Sequence, residues 1–310
     1  MSRALLITGA TGQQGGAVID ALLAKQSSEF TILAVTRNAE SAGAKRLASK
    51  SSSIKVVEGD LNAVPALFSS AKAVAGTTPI WGVYSVQVSM GNGASHDGEI
   101  KQGNTLIDES IKNGVKHFVY SSVERGGDER SWNNPTPVPH FRSKHQIEHH
   151  LRDSTAAPGT DMGWTILRPV AFMDNLQPGF LGKVFLTLVR DTMRGKPVQW
   201  VAARDIGFFG AEAFHNPSAW NKKAVGLAGD ELTFDQLSQS FKKATGSPAP
   251  TTFGLFGTAL KYGFREMGIM VDWFRDDGYK ANISELKKTH PGLMNMETWL
   301  KTQSGFVKRG

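Results

Sequence analysis

The stretch VPHFRSKHQIEHH, residues 138–150, contains four histidines, two basic residues and a glutamate. His145, Glu148 and His149 have the spacing of a zinc peptidase motif, in which two histidines on one helix bind the metal and the glutamate acts as base. His140 and Lys144 lie four residues apart, so on a helix they share a face and could place a proton donor beside an ammonium group. The stretch therefore predicts a metal site, an acid–base pair or a plain histidine-rich helix.

The composition is ordinary for a soluble globular protein: 310 residues, 40% hydrophobic and 20% charged. The absence of cysteine excludes disulfides and thiolate metal sites and favours a reducing compartment. The N-terminus MSRALLITGATG reaches glycine too early for a signal peptide, and no apolar run approaches the length of a membrane helix. We therefore expect a cytoplasmic protein with access to the nucleus by diffusion.

The formal net charge of +7 raises the question of nucleic acid binding. The 35 lysines and arginines are spread along the chain, without a basic block or an aromatic-basic ribbon. Such an excess is more typical of a solvated surface with an anion-binding cleft. We therefore disfavour direct nucleic acid binding and expect no membrane association.

The first 120 residues alternate between short apolar runs and segments with helical spacing. Strands are predicted at 3–8, 30–36, 54–58, 79–88 and 117–122, with helices at 16–25, 39–50, 63–73 and 99–113. A helix at 140–152 and a sixth strand at 164–169 follow a polar stretch, 126–139, that is predicted to be an exposed loop. Strands separated by helices of this length predict a doubly wound, parallel α/β sheet.

Beyond residue 170 the pattern becomes irregular. Helices are predicted at 179–194 and 234–245 and an extended segment at 223–227. The segment 253–274 is rich in Phe, Met and Trp. It is either a lid that faces the substrate or part of the core, and its helical spacing favours the core.

A glycine-rich turn, Gly9-Ala-Thr-Gly12-Gln-Gln-Gly15, connects the first strand to the first helix. Glycines let the backbone turn tightly and approach a pyrophosphate, while the N-terminus of the helix offers N–H groups and the positive end of its dipole. In this strand–helix context the turn predicts dinucleotide binding.

The end of the second strand indicates which dinucleotide is bound. NAD sites usually have Asp or Glu there for the ribose 2′-hydroxyl, but this chain has Arg37 and Asn38. An arginine suits a 2′-phosphate, so NADP(H) is preferred over NAD(H); the alternative is a surface arginine at the end of a strand. Asp60, after the third strand, is placed to meet the adenine or to cap a helix, and the two roles are compatible.

The motifs TGATGQQGG, VTRN, EGDL, YSVQV, FVYSS, HFRSK and LRPVAFMDN follow one another along the chain. With them, residues 3–303 resemble the NmrA-like family, atypical members of the short-chain dehydrogenase/reductase superfamily. The resemblance implies a Rossmann domain that binds NADP(H), residues 1–175. It also implies a smaller, mainly helical substrate or partner domain, residues 176–310, with some segments interleaved.

The resemblance assigns a part of the cofactor to each motif. The pyrophosphate and its turn would be held by Gly9, Ala10, Thr11, Gly12, Gln13, Gln14 and Gly15, and the 2′-phosphate by Arg37, Asn38 and Ser41. The adenine would meet Asp60 and Leu61, and the nicotinamide half would meet Ser85, Val86, Gln87, Phe172, Met173, Asp174 and Asn175.

Typical reductases of this superfamily use Tyr as proton donor, Lys to hold the ribose and Ser to orient the carbonyl. Here Ser122 follows the fifth strand, Lys144 occupies the lysine position and His140 the tyrosine position. A neighbouring ammonium is expected to lower the pKa of His140 and keep it mostly neutral, which weakens it as a proton donor. Lys144 is expected to bind the ribose with or without catalysis.

Two functions stay open. One is an NADPH-dependent reductase of a small carbonyl, imine or quinone-like substrate; the other is a regulator that senses NADPH/NADP⁺ and binds a protein partner. His145 and His149 are expected on a surface face, so a catalytic zinc is disfavoured and no metal site is predicted. Whether the protein is a homodimer stays open.

Overall fold

The structure, a computed structural model, describes residues 3–25, 29–88, 93 and 95–307. It divides into two compact units, each built from several segments of the chain. The first comprises Met1–Ser122, Ser143–Leu167 and Ile206–Val225. The second comprises Val123–Arg142, Arg168–Asp205 and Gly226–Gly310.

Strands of the described residues form two sheets. The strands are β1 (Arg3–Ile7), β2 (Phe30–Thr36), β3 (Ile54–Glu58), β4 (Ile80–Ser85), β5 (His117–Ser121), β6 (Gly163–Pro169), β7 (Ala171–Phe172), β8 (Val198–Val201), β9 (Lys223–Leu227) and β10 (Asp230–Leu232). Seven of them form one sheet in the order β3-β2-β1-β4-β5-β6-β9, in which the pairs from β3 to β6 are parallel. The order 3-2-1-4-5-6 is that of the dinucleotide-binding Rossmann fold, so the predicted α/β fold is confirmed.

Helices connect the strands of the large sheet and dominate the C-terminal part. They are α1 (Gln13–Ala24), α2 (Ala42–Ala48), α3 (Val64–Ala75), α4 (His96–Lys112), α5 (Asp128–Asn133), α6 (Pro139–Thr155), α7 (Phe180–Met193), α8 (Ala203–His215), α9 (Pro217–Trp220), α10 (Phe234–Thr245), α11 (Gly254–Gly263), α12 (Arg265–Asp276), α13 (Ile283–Thr289) and α14 (Met296–Thr302). Short 3₁₀ helices cover Leu61–Ala63 and Met173–Asn175. The predicted helical character of the C-terminal part is confirmed.

The core of the first unit is made by the apolar strands. β1, β4 and β5 are almost fully buried, as expected for parallel strands covered on both faces. Helix α8, which the sequence analysis did not predict, also packs in this unit. A Cβ at Gly207 would lie 2.3 Å from the carbonyl oxygen of Ala17 in α1, and one at Gly210 would lie 2.8 Å from a methyl group of Val18. Glycine lowers helix propensity, yet here it lets two helices approach closely.

The second unit contains the small sheet, in which β8 pairs with β7 in parallel and with β10 in antiparallel fashion. The stretch 126–139, predicted to be an exposed loop, forms α5 and buries Ser131 and Val138. That prediction is wrong because the polar groups are satisfied internally: the buried Arg125 guanidinium donates to the carbonyls of Val123, Ser131 and Asn134.

The aromatic segment 253–274 is divided in its environment. Phe253, Leu255 and Tyr262 expose between 76% and 79% of their surface, whereas Trp273 and Phe274 are buried. The favoured core interpretation is thus wrong for the first half of the segment and confirmed for the second half. Among the described residues, no helix combines the length and the apolar character needed to cross a membrane.

Candidate functional site

The glycine turn lies at the carboxyl end of β1, where parallel sheets of this kind bind ligands. Gly9 has a positive φ of 59°, and a Cβ there would lie 2.7 Å from a methyl group of Val86. A Cβ at Gly15 would lie 2.4 Å from the carbonyl oxygen of Gly9, so only glycine fits as the third member of the motif. Gly12 is extended and precedes α1 as its N-cap without a side chain. The turn therefore brings bare backbone to the N-terminus of α1, a surface suited to a phosphate.

The carboxyl end of β4 lies beside this turn. The Thr8 hydroxyl accepts a hydrogen bond from the backbone N–H of Val86 at 2.8 Å, which fixes the ends of β1 and β4 together. The amide nitrogen of the buried Gln87 donates to the Ser85 hydroxyl at 2.8 Å. The Gln87 carbonyl oxygen, in contrast, is buried without a hydrogen-bond partner. Because a buried acceptor without a donor is costly, this oxygen suits a ligand that brings an N–H or O–H group.

The turn after β2 is ordered by its own side chains. The Asn38 side-chain oxygen accepts from the Glu40 N–H at 2.9 Å, and the Ser41 hydroxyl caps α2 by accepting from the Ala44 N–H at 3.2 Å. Arg37 is exposed at the start of this turn. A feature that the sequence analysis missed is Glu58, at the end of β3, whose carboxylate accepts from the Ala39 N–H at 2.9 Å. The turn after β2 thus exposes the Arg37 guanidinium, and the Glu58 carboxylate binds the backbone of the turn.

Asp60 caps the 3₁₀ helix that begins at Leu61, because its carboxylate accepts from the Asn62 N–H at 2.8 Å. This is the capping role foreseen for it. Its contact with an adenine stays a prediction.

The carboxyl end of β5 is connected to α1. The Ser121 hydroxyl donates to the side-chain oxygen of Gln14 at 2.5 Å, and both residues belong to the first unit. Ser122 is buried directly after β5 and donates its backbone N–H to the Leu167 carbonyl at 2.7 Å. The first unit therefore brings the glycine turn, the Ser85–Gln87 segment and Ser121 to one edge of the sheet.

Lys144 lies on α6 and is paired with an acid of α4. Its ammonium nitrogen donates to Glu99 Oε1 at 2.8 Å, and the Ser143 hydroxyl donates to Glu99 Oε2. The side chain of Glu99 is fully buried and that of Lys144 is 10% exposed. An ammonium held in this way is fixed in position and keeps two further donor hydrogens for a ligand.

His140 lies one turn before Lys144 on α6, as predicted, and belongs to the second unit. Its ring nitrogen Nδ1 is 2.6 Å from Glu266 Oε1, and the same oxygen accepts the backbone N–H of His140 at 3.2 Å. From the sequence, only Lys144 was expected to influence His140. The structure adds a carboxylate in direct contact with the imidazole.

The segment Phe172–Asn175 also belongs to the second unit. Phe172 ends β7, and Met173 is buried in the 3₁₀ helix that follows. The Asp174 carboxylate accepts the backbone N–H of Ala203, the first residue of α8, at 2.7 Å. Burial raises the pKa of Asp174 above its ordinary value. The placement of these residues at a nicotinamide stays a prediction.

The zinc-like motif is half-buried on α6 and engaged in other contacts. The Arg152 guanidinium lies 3.0 Å from His149 Nδ1, and His149 Nε2 lies 3.2 Å from His145 Nε2. Because a guanidinium can only donate, His149 Nδ1 must accept and its Nε2 must carry the proton, which leaves that nitrogen without a lone pair for a metal. Within the described ranges, no group of three or more His, Asp or Glu residues could hold a metal ion.

Of the residues missed, Glu99 left a signal in the sequence. It lies four residues before Gly103 and seven before Leu106, in register with the buried face of α4. A glutamate on the buried face of a helix requires a partner, and a cleft lysine is the natural one. Glu266 is 126 residues away from His140, and no local pattern connects them.

Comparisons with known proteins identify the family and the fold. A sequence model of the NmrA-like family matches residues 1–300. The chain is 26% identical to hkm9, an NmrA-like family domain-containing oxidoreductase of Aspergillus hancockii, over 99% of this chain and 97% of that protein.

Two solved structures share the fold. One is NmrA, a negative transcriptional regulator, in complex with NADP: the TM-score is 0.69 and the identity 18%, over 97% of this chain and 95% of that one. The other is the triphenylmethane reductase of Citrobacter sp. complexed with NADP(H): the TM-score is 0.70 and the identity 20%, over 97% of this chain and 99% of that one.

The family motifs quoted from the sequence thus lie where the fold requires them, at the ends of β1, β2, β4 and β5 and on α6. The family match extends over almost the whole chain. The resemblance noted from the sequence is therefore confirmed, and the chain belongs to the NmrA-like family.

Proposed function

We propose that this protein is an NADPH-dependent reductase of a small carbonyl, imine or quinone-like substrate. The observation that carries the proposal is the glycine turn, in which Gly9 and Gly15 admit no side chain at the N-terminus of α1. A turn of this kind at the carboxyl end of β1 suits a pyrophosphate. A relative that this chain covers over 97% of its length bears the name oxidoreductase, which supports the same conclusion.

The residues of the first unit fit an NADP(H) molecule. The backbone of Gly9–Gly15 would take the pyrophosphate, while Arg37, Asn38 and Ser41 would take the 2′-phosphate. Asp60 and Leu61 would border the adenine. Gln87 would accept from the carboxamide of the nicotinamide, which would satisfy its buried oxygen.

When bound, NADPH supplies a hydride from C4 of its nicotinamide ring. Lys144, oriented by Glu99, would hold the ribose hydroxyls with its remaining donors. Ser122 would orient the substrate oxygen and His140 would give it a proton. Phe172, Met173, Asp174 and Asn175 would border the nicotinamide.

Cofactor preference is tested by Arg37→Asp. Loss of a charge-assisted contact together with repulsion of the 2′-phosphate should raise the Kd of NADPH roughly 100-fold, measured by calorimetry, while the Kd of NADH changes less than about threefold. Glu58→Gln is the matched control, because it changes a charge at the same turn and leaves the Arg37 guanidinium in place. Equal losses for both cofactors in Arg37→Asp would contradict the preference for NADP(H).

Catalysis is tested by NADPH oxidation with a panel of carbonyl, imine and quinone substrates. His140→Ala should lower kcat and leave NADPH binding unchanged, whereas Lys144→Ala should weaken NADPH binding about tenfold or more. If NADPH binds tightly and no substrate is turned over above background, the reductase proposal fails.

A regulatory role is the second candidate, and the exposed apolar side chains of α7 and α11 favour it. Leu181, Leu255 and Tyr262 are more than three-quarters exposed, and surfaces of this kind mark interaction sites. The protein would then bind a partner in a way that follows the NADPH/NADP⁺ ratio. Partner capture that is the same with either nucleotide, or that survives Leu255→Glu with Tyr262→Glu, would contradict this candidate.

A further inference from the structure

His140 and Glu266 form a dyad held by a rigid aromatic cluster. The ring of Phe141, next to His140 on α6, packs edge-on against Trp273 of α12 at 5.3 Å. Glu266 lies in the first turn of α12, two turns before Trp273. The aromatic contact therefore fixes the start of α6 against α12 and holds the carboxylate at the imidazole.

The hydrogen bond defines the tautomer of His140. An ionised carboxylate has no hydrogen to donate, so the 2.6 Å contact requires the proton on Nδ1. Nε2 is then the nitrogen that exchanges a proton with a substrate. The arrangement matches the general use of a carboxylate to orient an imidazole and to stabilise its protonated form.

Cations also lie near His140 on both helices of the dyad. On α6 the neighbouring cations are Arg142 and Lys144, and on α12 the neighbouring cation is Arg265. Lys144, the cation one turn away, is matched by Glu99 at 2.8 Å. Tyr279 packs against Phe141, and burial keeps the pKa of its phenol well above the ordinary value, so it adds no charge. Glu266 is thus in direct contact with His140, whereas Lys144 is paired with another carboxylate.

We infer that Glu266 is a positioning residue, which holds His140 in the tautomer and charge state that can protonate the substrate. The inference rests on the proposed reductase function. In that step a carbonyl carbon accepts hydride from NADPH while its oxygen takes the proton from His140 Nε2. The products are the alcohol, NADP⁺ and a neutral imidazole, which regains its proton from water.

Glu266→Gln tests the inference, because glutamine keeps an oxygen that can cap the His140 N–H but removes the charge. The pKa of His140 is measured by NMR titration of the whole protein, with the signal assigned by His140→Asn. We expect the pKa of His140 to fall by about 1 or more, and the pH profile of kcat/KM to shift downward equally. At neutral pH kcat/KM should then fall roughly tenfold, while KM for NADPH and the Tm stay unchanged.

Glu297→Gln is the matched control. Glu297 also lies in the first turn of a helix, α14, and is 33% exposed in its side chain, against 28% for Glu266. It should leave the titration of His140 and the pH profile unchanged.

Two results would overturn the inference: His140 titrates at the same pH in Glu266→Gln as in the wild type, or kcat/KM falls without a shift of the pH profile. A lower Tm with an unchanged titration would show that Glu266 only caps α6. If no substrate is turned over, the reductase proposal fails while the NMR titration still decides the dyad.

Discussion

Two cation–carboxylate pairs lie one turn apart along α6, and they differ in how far water reaches them. In the Lys144–Glu99 pair the side chains are 10% and 0% exposed. In the His140–Glu266 pair they are 9% and 28% exposed. The first pair joins an ammonium group to a carboxylate, whereas the second contains an imidazole, the side chain suited to proton exchange near neutrality. The comparison indicates that one helix carries a buried amine held by a carboxylate and, one turn away, an imidazole that can exchange a proton.

The largest effect is expected when the buried pair is broken. Glu99→Ala leaves the Lys144 ammonium buried without its counter-charge and removes the acceptor of Ser143. We expect the free energy of unfolding, measured by urea denaturation, to fall by about 3–5 kcal/mol.

The double variant Glu99→Leu with Lys144→Met separates charge from packing. Replacing a buried ion pair by apolar side chains is often neutral, so this variant should regain most of the lost stability. A double variant as unstable as Glu99→Ala would show that the pair acts through its packing.

An intermediate effect is expected at His117, a buried histidine whose ring hydrogen-bonds to the Thr165 hydroxyl. Burial lowers the pKa of His117 from 6.5 to about 4. Below pH 6.5 the unfolded chain therefore binds a proton that the folded protein does not. The stability due to neutral His117 is complete above pH 6.5 and is lost as the pH falls toward 4, by about 3 kcal/mol in total.

His117→Gln should flatten the pH dependence of the unfolding free energy between pH 6.5 and 4. A slope equal to that of the wild type would contradict the assignment. A flattened slope would show that burial keeps His117 neutral. His117 would then serve as a reference for His140, which is in contact with a carboxylate.

The smallest effect is expected at the His140–Glu266 pair, whose carboxylate is the more exposed of the two pairs. Glu266→Ala should lower the free energy of unfolding by about 1 kcal/mol, because its partly hydrated ion pair and its cap of α6 are each weak. The measurement is again urea denaturation, now at low and high salt. A loss as large as that of Glu99→Ala would remove the distinction between the two pairs.

Sequence patterns predicted the large sheet well because most of its strands are short runs of mainly apolar residues. The bounds of β2 and β3 agree with the prediction to the residue. The glycine turn was also predictable, because its geometry depends on residues that are close together in the sequence. Helix α8 was missed because Gly207 and Gly210 lower its helical tendency, and their benefit arises only through contact with α1.

The sequence predicted which basic residues belong to the site but not which carboxylates pair with them. Lys144 and His140 were found from their spacing, whereas their partners Glu99 and Glu266 lie 45 and 126 residues away. Proton transfer by His140 depends on such long-range pairs. The expectation from the sequence included the charge of Lys144 but omitted that of Glu266, which is in direct contact with His140. The roles of the cofactor-binding and catalytic residues stay proposals, as do the cytoplasmic location and the domain division at residue 175.

The close contact of α8 with α1 has a consequence for the time at which the protein can fold. The first unit contains residues from Ile206–Val225, which include most of α8 and the start of β9. On a ribosome these residues follow Leu167 by roughly 2–12 seconds at ordinary rates of synthesis. During this delay the surface of α1 around Ala17 and Val18 is uncovered, and residues 168–205 of the second unit emerge. The first unit is therefore completed only at Val225, after residues 123–142 and 168–205 of the second unit have been synthesised.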